Sequence, residues 1–342
     1  MENNKNIEWE KQEQTFDLSA EMKQIRKSLR KRYAMVVCTC LILIAIVAFG
    51  IIQYGIPALE KQYWDPNSST YQEYFSDLEL SIKAYTELFC PGYEAFMVDS
   101  VKTGFATHTI TAMFSSWSNF NSKTNLSQKN AILCKNELSF SAGFWENYHT
   151  NAFNIIAEKL LQQVKRDTVS TLKKYPDYVQ VLAAIHLPED LDMKEISEFC
   201  RNAEYDARGN SRNATVIWVS IRNRSQNDPW LPACGFDPHR QLSQNDQPAV
   251  YPYLDHFTSE DTIDQHFTSM LRFLQDQLDQ GTGFQPPDSG STNCYADILN
   301  YVEENGVMAN GAYIIASPKI LLELYNSGQI DGITLCDAWL SY

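Results

Sequence analysis

The sequence lacks the short motifs that carry much of enzymatic chemistry. It contains no H-E-x-x-H, C-x-x-C or G-x-S-x-G pattern and no glycine-rich phosphate loop. Histidine is scarce as well, and the six histidines are scattered at His108, His149, His186, His239, His256 and His266. Because these residues form no reactive set, we predict a protein that is not an enzyme and that needs no cofactor.

Positive charge is scarce outside one short segment. Residues 1–33 hold eight Lys or Arg against six Asp or Glu, which leaves a net charge of −16 for the rest of a chain whose net charge is −14. An acidic surface repels nucleic acid, so no direct nucleic-acid partner is predicted. Residues 1–33 also contain no histidine and no cysteine, which makes a zinc site there implausible.

Long apolar runs are scarce too, and one run is long enough to cross a membrane. Ala34 to Leu59 carries no charged residue, and a spanning helix needs about 20 apolar residues. A buried core helix or a cleaved signal peptide is less favoured, since the charged leader is long for a signal peptide. Six basic residues precede the run: Lys23, Arg26, Lys27, Arg30, Lys31 and Arg32. The positive-inside rule therefore predicts a single-pass membrane protein with a cytoplasmic N-terminus and extracytoplasmic C-terminal domains.

A basic amphipathic helix is predicted in the cytoplasmic tail, residues 1–33. Its apolar positions follow helical spacing, and they are Leu18, Met22, Ile25 and Leu29. Such a helix lies on anionic membrane lipid or continues into the transmembrane helix, residues 34–59. Docking on a protein partner, together with Trp9 and Phe16, is the alternative. These six apolar residues form the candidate partner-binding set.

Residues 60–170 are predicted to form a small extracytoplasmic α+β domain. Leu78 to Phe89 shows helical spacing, and β-like runs cover Tyr93–Val98 and Gly104–Phe114. The Asn- and Ser-rich stretch Asn119–Asn130 predicts a loop, and a helical stripe begins at Phe153.

Residues 171–342 are predicted to form a second extracytoplasmic domain. Without an insertion over 223–293, the order is strand, helix, strand, strand, helix, strand. The strands are Val179–Ile185, Thr215–Ile221, Ala312–Ser317 and Gly332–Leu340. This order predicts a ferredoxin-like α/β sandwich with a helical insertion, in which the apolar first and third strands are central. The fold class of the whole chain is therefore α+β, with a single transmembrane helix before the two domains.

Several polar groups in the second domain have a structural explanation beside a functional one. His186 ends an apolar strand and is predicted to be structural. Glu189, Asp190 and Asp192 stand at a helix start, where capping and the helix dipole explain them. The motif GFDPH, Gly235 to His239, favours a turn, with a ligand contact as the alternative.

Cysteine leaves two alternatives open. Cys38 and Cys40 lie in the apolar run and are interpreted as apolar fillers. The other six lie on the predicted outer side. They either form disulfides, which an oxidising exterior permits, or remain buried free thiols. These six possible disulfide cysteines are Cys90, Cys134, Cys200, Cys234, Cys294 and Cys336.

Over most of its length the chain resembles bacterial membrane-bound sigma factor regulators, anti-sigma-factor-like proteins of Gram-positive bacteria. The resemblance rests on the basic helix before the span and on YWDP, TELFCPGYE, KTGFATHTI, LKKYPDYVQVLAAIHLPEDL, TVIWVSI, CGFDP, HFTSMLRFLQDQ and YVEENGVMANGAYIIASPKILLEL. It implies that residues 60–170 and 171–342 correspond to the N-terminal and C-terminal sigma-regulator domains.

The resemblance also implies a function in signal transduction and transcription regulation. The cytoplasmic segment would hold an extracytoplasmic-function sigma factor, or another membrane regulator, while the outer domains sense the envelope. The alternative is an extracytoplasmic binding module for an envelope component or partner protein, with the N-terminus serving only as an anchor.

Overall fold

The computed structural model describes residues 18–71, 75–116, 127–141, 144, 167–224, 231–239, 260–286 and 291–340. The fold is α+β, with a long apolar N-terminal helix and antiparallel sheets. The chain divides into two compact units, Met1–Gln62 and Tyr63–Tyr342.

The first unit is helical from Leu18 to Glu60. Helix α1 (Leu18–Gly50) continues through a π-helical turn (Ile51–Gly55) into helix α2 (Ile56–Glu60). The basic amphipathic stretch and the apolar run are therefore parts of one helix, and α1 alone is about 50 Å long. By length and composition, the helical segment Glu21–Glu60 can cross a membrane.

The second unit begins with one helix and a four-stranded sheet, sheet 1. Helix α3 (Asp77–Phe89) starts where the Ser76 side chain accepts a hydrogen bond from the Glu79 amide, and its apolar residues are buried as their spacing predicts. The strands are β1 (Tyr93–Gly104), β2 (Thr107–Ser116), β3 (Ser127–Cys134) and β4 (Glu137–Phe140). They pair in sequence order and antiparallel.

Two predicted boundaries in sheet 1 are wrong. The strand β1 continues through residues 99–104, where a break was expected, because this part of the strand is exposed and mostly polar. The predicted loop Asn119–Asn130 is too long, since Ser127 to Asn130 pair with Phe114 to Thr111 in β2. The helical stripe predicted from Phe153 lies outside the described residues.

A five-stranded antiparallel sheet, sheet 2, follows a helical stretch α4 over residues 167–172. Its strands are β5 (Val179–Leu191), β6 (Thr215–Ile221), β7 (Cys234–Phe236), β8 (Ala309–Ala316) and β9 (Gly332–Leu340). The order across the sheet is β7-β6-β8-β5-β9. The two strands predicted to be central, β5 and β8, are neighbours near the middle of the sheet, and β7 is an edge strand that the sequence did not predict.

Four more helices accompany sheet 2 in the described residues: α5 (Met193–Glu204), α6 (Glu260–Asp279), α7 (Cys294–Asn305) and α8 (Pro318–Asn326). Side chains cap the N-termini of α5 and α8. Asp192 and Glu195 form a capping box, and the Ser317 side chain accepts from the Ile320 amide with Pro318 at the first helical position.

Both sheets contribute to one hydrophobic core. Ile110 and Phe114 of β2 belong to the same buried cluster as Ile185 of β5 and Ile314 of β8. The Trp218 indole Nε1–H donates to the Glu87 carbonyl oxygen at 2.7 Å, which joins β6 to the end of α3. The predicted boundary between residues 170 and 171 stays a prediction.

Candidate functional site

The candidate partner-binding residues of the tail lie on α1 where the structure describes them. Met22, Ile25 and Leu29 are 51%, 56% and 52% exposed, and Leu18 is the first residue of the helix. The six basic residues of the topology prediction are also exposed on α1. Trp9 and Phe16 lie outside the described residues. The structure therefore aligns three apolar side chains on one exposed stripe.

The π-helical turn lies at the far end of the apolar run. The Ile56 amide donates to the Ile51 carbonyl, five residues back, and Pro57 follows at once. Proline has no N–H and disturbs the hydrogen-bond pattern of a helix, and π-turns occur often at functional positions. Gln53 and Tyr54 lie inside this turn.

Sheet 1 has an open outer face. Cross-strand partners share a face, so Val101, Thr109, Ile132 and Ser139 form one outward row. Val101 is 62% exposed and Ile132 is 53% exposed. Large apolar side chains on a solvated sheet face mark a surface that is available for contact.

The two hairpin turns of sheet 1 are fixed to the start of the second unit. The Lys135 amide donates to the Ala106 carbonyl at 2.6 Å, which joins the β1–β2 turn to the β3–β4 turn. The Tyr63 ring packs edge-on against Phe105 with the ring centroids 5.9 Å apart. The Trp64 amide donates to Asn136 Oδ1 at 2.9 Å. The turns and the residues that follow α2 therefore form one end of the sheet.

Two histidine–carboxylate contacts connect the insertion between β6 and β8 to helices α3 and α5. His266 of α6 lies 2.5 Å from Glu87 of α3, measured from Nε2 to Oε1, and both side chains are buried. His239, after β7, lies 2.6 Å from Glu204 of α5 between the same atoms. The sequence missed both contacts, because the partners are 179 and 35 residues apart.

The GFDPH motif combines an edge strand with the predicted turn. Cys234 to Phe236 form β7, and the His239 amide donates to Asp237 Oδ1 at 2.8 Å. Burial lowers the pKa of His239, but the hydrogen bond and charge of Glu204, with the charge of Asp237, outweigh this and raise the pKa above its usual 6.5. The motif thus supplies a titratable group that faces a carboxylate.

The other polar candidates have structural partners. Asp192 caps α5, and Asp190 accepts two hydrogen bonds from the Arg222 guanidinium, one of them 2.7 Å long. Glu189 is exposed. His186 is half-buried in β5, and its carbonyl accepts from the Asp331 amide at 2.8 Å. The sequence predicted the capping role of Asp192 but not the two hydrogen bonds between Arg222 and Asp190.

All eight cysteines are free thiols in the structure. Cys90, Cys200, Cys234 and Cys294 are buried, Cys336 is half-buried and Cys134 is exposed. Burial raises the pKa of Cys294 to about 12 and that of Cys336 to about 11, so these two are protonated at neutral pH. Four of the six cysteines that the sequence places on the outer side are therefore buried.

Among the described residues, no three His, Cys, Asp or Glu side chains gather as a metal site would require. No protein-family model, no curated protein and no solved structure matches this chain. The features that the structure offers are therefore the exposed stripe of α1, the open face and joined turns of sheet 1, and the two histidine–carboxylate contacts.

Proposed function

We propose that the protein is a non-enzymatic, single-pass membrane regulator of an extracytoplasmic-function sigma factor, which links an envelope signal to transcription. Its N-terminus is cytoplasmic. Its outer part comprises a sigma-regulator N-terminal-like domain, residues 60–170, and a ferredoxin-like C-terminal domain, residues 171–342. The observation that carries the proposal is the continuity of α1, which joins the exposed apolar stripe to the apolar run in one helix.

The stripe has the chemistry of a helix that docks in a groove. Met22, Ile25 and Leu29 lie at the i, i+3 and i+7 positions at which amphipathic helices place their anchors. Each side chain keeps half or more of its surface exposed, so its burial against a partner removes apolar area from water. Because the stripe is short, the interface is small, and we expect a weak or transient contact.

Co-purification tests the regulator. The full chain is extracted from membranes in detergent, and the retained proteins are identified by mass spectrometry, together with transcription from a reporter. We expect a sigma factor to be retained, and Met22→Asp with Ile25→Asp to release it and to change reporter output. Ala20→Asp with Gln24→Asp is the matched control, since these residues lie on the opposite helix face. If both pairs behave like wild type, the stripe binds no regulator.

Thiol labelling tests the proposed topology. Cys134 is exposed in the second unit, whereas Cys38 and Cys40 lie within the apolar run. A membrane-impermeant maleimide added to intact cells should label the wild type, and Cys134→Ser should abolish most of that labelling. Labelling that requires permeabilised cells would place the second unit in the cytoplasm and exclude the topology.

The second candidate is an extracytoplasmic binding module with a plain anchor. The open face of sheet 1, with Val101 and Ile132 exposed, favours it. Deletion of residues 1–20 removes Trp9, Phe16 and Leu18 of the candidate partner-binding set, while keeping all six basic flanking residues. A regulator loses its effect on the reporter after this deletion, whereas an anchored binding module keeps its outer activity.

A further inference from the structure

We propose that three consecutive basic residues of α1 form a ring that binds anionic phospholipid headgroups in preference to zwitterionic ones. The basic ring is Arg30, Lys31 and Arg32, and all three side chains are exposed. The inference rests on the membrane-spanning part of the proposed function and does not depend on sigma-factor regulation. It concerns the helix of the first unit alone.

The continuity of α1 fixes the depth of the basic ring. Leu18–Gly50 is one helix, so no turn separates the basic residues from the apolar run that begins at Ala34. A helix rises about 1.5 Å per residue, which puts Arg32 about 3 Å and Arg30 about 6 Å before Ala34 along the axis. The headgroup layer is about 5–8 Å thick on each side of the hydrocarbon. When the apolar run spans the membrane, the basic ring therefore lies at headgroup depth.

The basic ring differs in arrangement from the other basic residues of α1. Successive helical residues are about 100° apart, so the three ring side chains point to three different sides of the helix. Lys23, Arg26 and Lys27 follow i, i+3 and i+4 spacing and share one face, which we call the distal patch. The distal patch lies about 10–17 Å before Ala34. Because helical side chains tilt toward the N-terminus, its charges are directed away from the membrane.

The charges of the basic ring fit the phosphate of an anionic lipid. No Asp or Glu stands within four residues of the ring in the sequence, so no carboxylate occupies an i+3 or i+4 position beside it. Two of the three residues are arginines, whose planar guanidinium donates paired hydrogen bonds to phosphate oxygens. Choline offsets the phosphate charge in phosphatidylcholine, whereas phosphatidylglycerol keeps a net negative charge. Basic residues beside a transmembrane helix are attracted to such anionic lipid.

Two tyrosines provide matched reporters at the two ends of the span. Tyr33 adjoins the basic ring and is 74% exposed, and Tyr54 is 76% exposed. Tyr54 lies about 30 Å further along the helix, which is one hydrocarbon thickness. The charged residues nearest to Tyr54 are Glu60 and Lys61, whose charges cancel. The two reporters therefore differ in the charge beside them and not in their exposure.

Photolabelling of the full chain tests the proposal. The protein is placed in nanodiscs of equal amounts of phosphatidylglycerol and phosphatidylcholine, and one lipid or the other carries a diazirine near the headgroup end of its acyl chain. Labelled residues are mapped by mass spectrometry. We expect the phosphatidylglycerol label at Tyr33 to exceed the phosphatidylcholine label several-fold, and the two labels at Tyr54 to be similar. Similar labels at both tyrosines would overturn the proposal, and this comparison needs no variant.

Matched neutralisations separate the basic ring from general attraction to the membrane. The triple variants are Arg30→Gln, Lys31→Gln and Arg32→Gln for the ring, and Lys23→Gln, Arg26→Gln and Lys27→Gln for the distal patch. At physiological salt the Debye length is about 8 Å, so the distal patch is largely screened from the headgroups. We expect the ring variant to lose the phosphatidylglycerol excess at Tyr33 and the distal variant to keep it. An unchanged excess in the ring variant, or an equal loss in both variants, would overturn the proposal.

The readouts of this experiment and of the regulator test are distinct. Retention of a sigma factor is measured on the same preparation. Absence of a retained sigma factor with a persistent phosphatidylglycerol excess at Tyr33 rejects the regulator alone. A retained sigma factor with similar labels at Tyr33 and Tyr54 rejects the basic ring alone. Absence of label from both lipids throughout the apolar run would reject the span, and the basic ring with it.

Discussion

The two sheets of the second unit use the same antiparallel pairing and differ in what covers their faces. In β5, successive residues from Val181 to Ile185 are buried, so both faces of sheet 2 are packed. In β2 only alternate residues are buried, and Thr109 and Thr111 point outward between them. Sheet 2 is therefore an internal layer of the fold, whereas sheet 1 has one face exposed to solvent.

The largest expected effect comes from glycine substitutions that compare the sheets. A Cβ on Gly235 in β7 would lie 1.9 Å from the Val219 carbonyl oxygen, whereas a Cβ on Gly104 in β1 would meet Thr107 at an ordinary 3.6 Å. Gly235→Ala should lower the free energy of unfolding by more than about 4 kcal/mol, and Gly104→Ala by less than about 0.5 kcal/mol. Denaturant midpoints in one detergent measure both changes. Similar losses of unfolding free energy in the two variants would show that both sheets are packed equally closely around these glycines.

A substitution at the buried histidine–carboxylate contact tests how the two sheets are joined. Glu87 is on the helix beside sheet 1, and His266 is on a helix of the insertion in sheet 2. Glu87→Gln should cost about 2–3 kcal/mol, because His266 loses its hydrogen bond to a carboxylate in a buried site. Adding His266→Gln should cost less than the sum of the single changes.

The control for this pair is an exposed one. Arg272 and Glu303 are each 54% exposed at the side chain, and Glu303→Gln should change stability by less than about 1 kcal/mol. The same chemical change is thus made in a buried and in a solvated pair. Equal effects of Glu87→Gln and Glu303→Gln would contradict the structural role of the buried contact.

Truncation of one isoleucine in each sheet compares a buried side chain with an exposed one. Ile314 of β8 is fully buried, and Ile132 of β3 is 53% exposed. Ile314→Ala should lower the free energy of unfolding by about 2–5 kcal/mol through lost burial and a cavity. Ile132→Ala should change it by less than about 0.5 kcal/mol. A large loss from Ile132→Ala would mean that the outer face of sheet 1 is covered in solution.

The secondary structure could be predicted well where the pattern is local. The cap at Asp192 and the span of β9 follow from short patterns, and the structure confirms them. The extension of β1 and the start of β3 were missed, because exposed polar residues in a strand resemble a loop. The edge strand β7 has only three residues and depends on its pairing with β6, which no local pattern contains.

The candidate site could be predicted only in part. The exposed stripe at Met22, Ile25 and Leu29 follows from helical spacing. The contacts of His266 and His239 were not predictable, since their partners lie far away in the sequence and a carboxylate gives no indication of its neighbour. The joining of the two turns through Lys135 and Ala106 likewise depends on the pairing of the strands.

The smallest expected effect compares one histidine from each sheet. His239, beside β7, faces Glu204, while the His108 ring in β2 lies 3.2 Å from the Ser100 hydroxyl. The raised pKa of His239 means that its protonated form stabilises the fold. This stability is present below the usual pKa of about 6.5 and is lost as the pH rises through the higher folded value. His239→Gln should therefore lose more stability at about pH 5 than at about pH 9, whereas His108→Gln removes a contact with a hydroxyl and not with a carboxylate. A pH-independent difference for His239→Gln would mean that Glu204 holds a neutral imidazole, which would make the contact a packing feature of sheet 2 and not a titratable one.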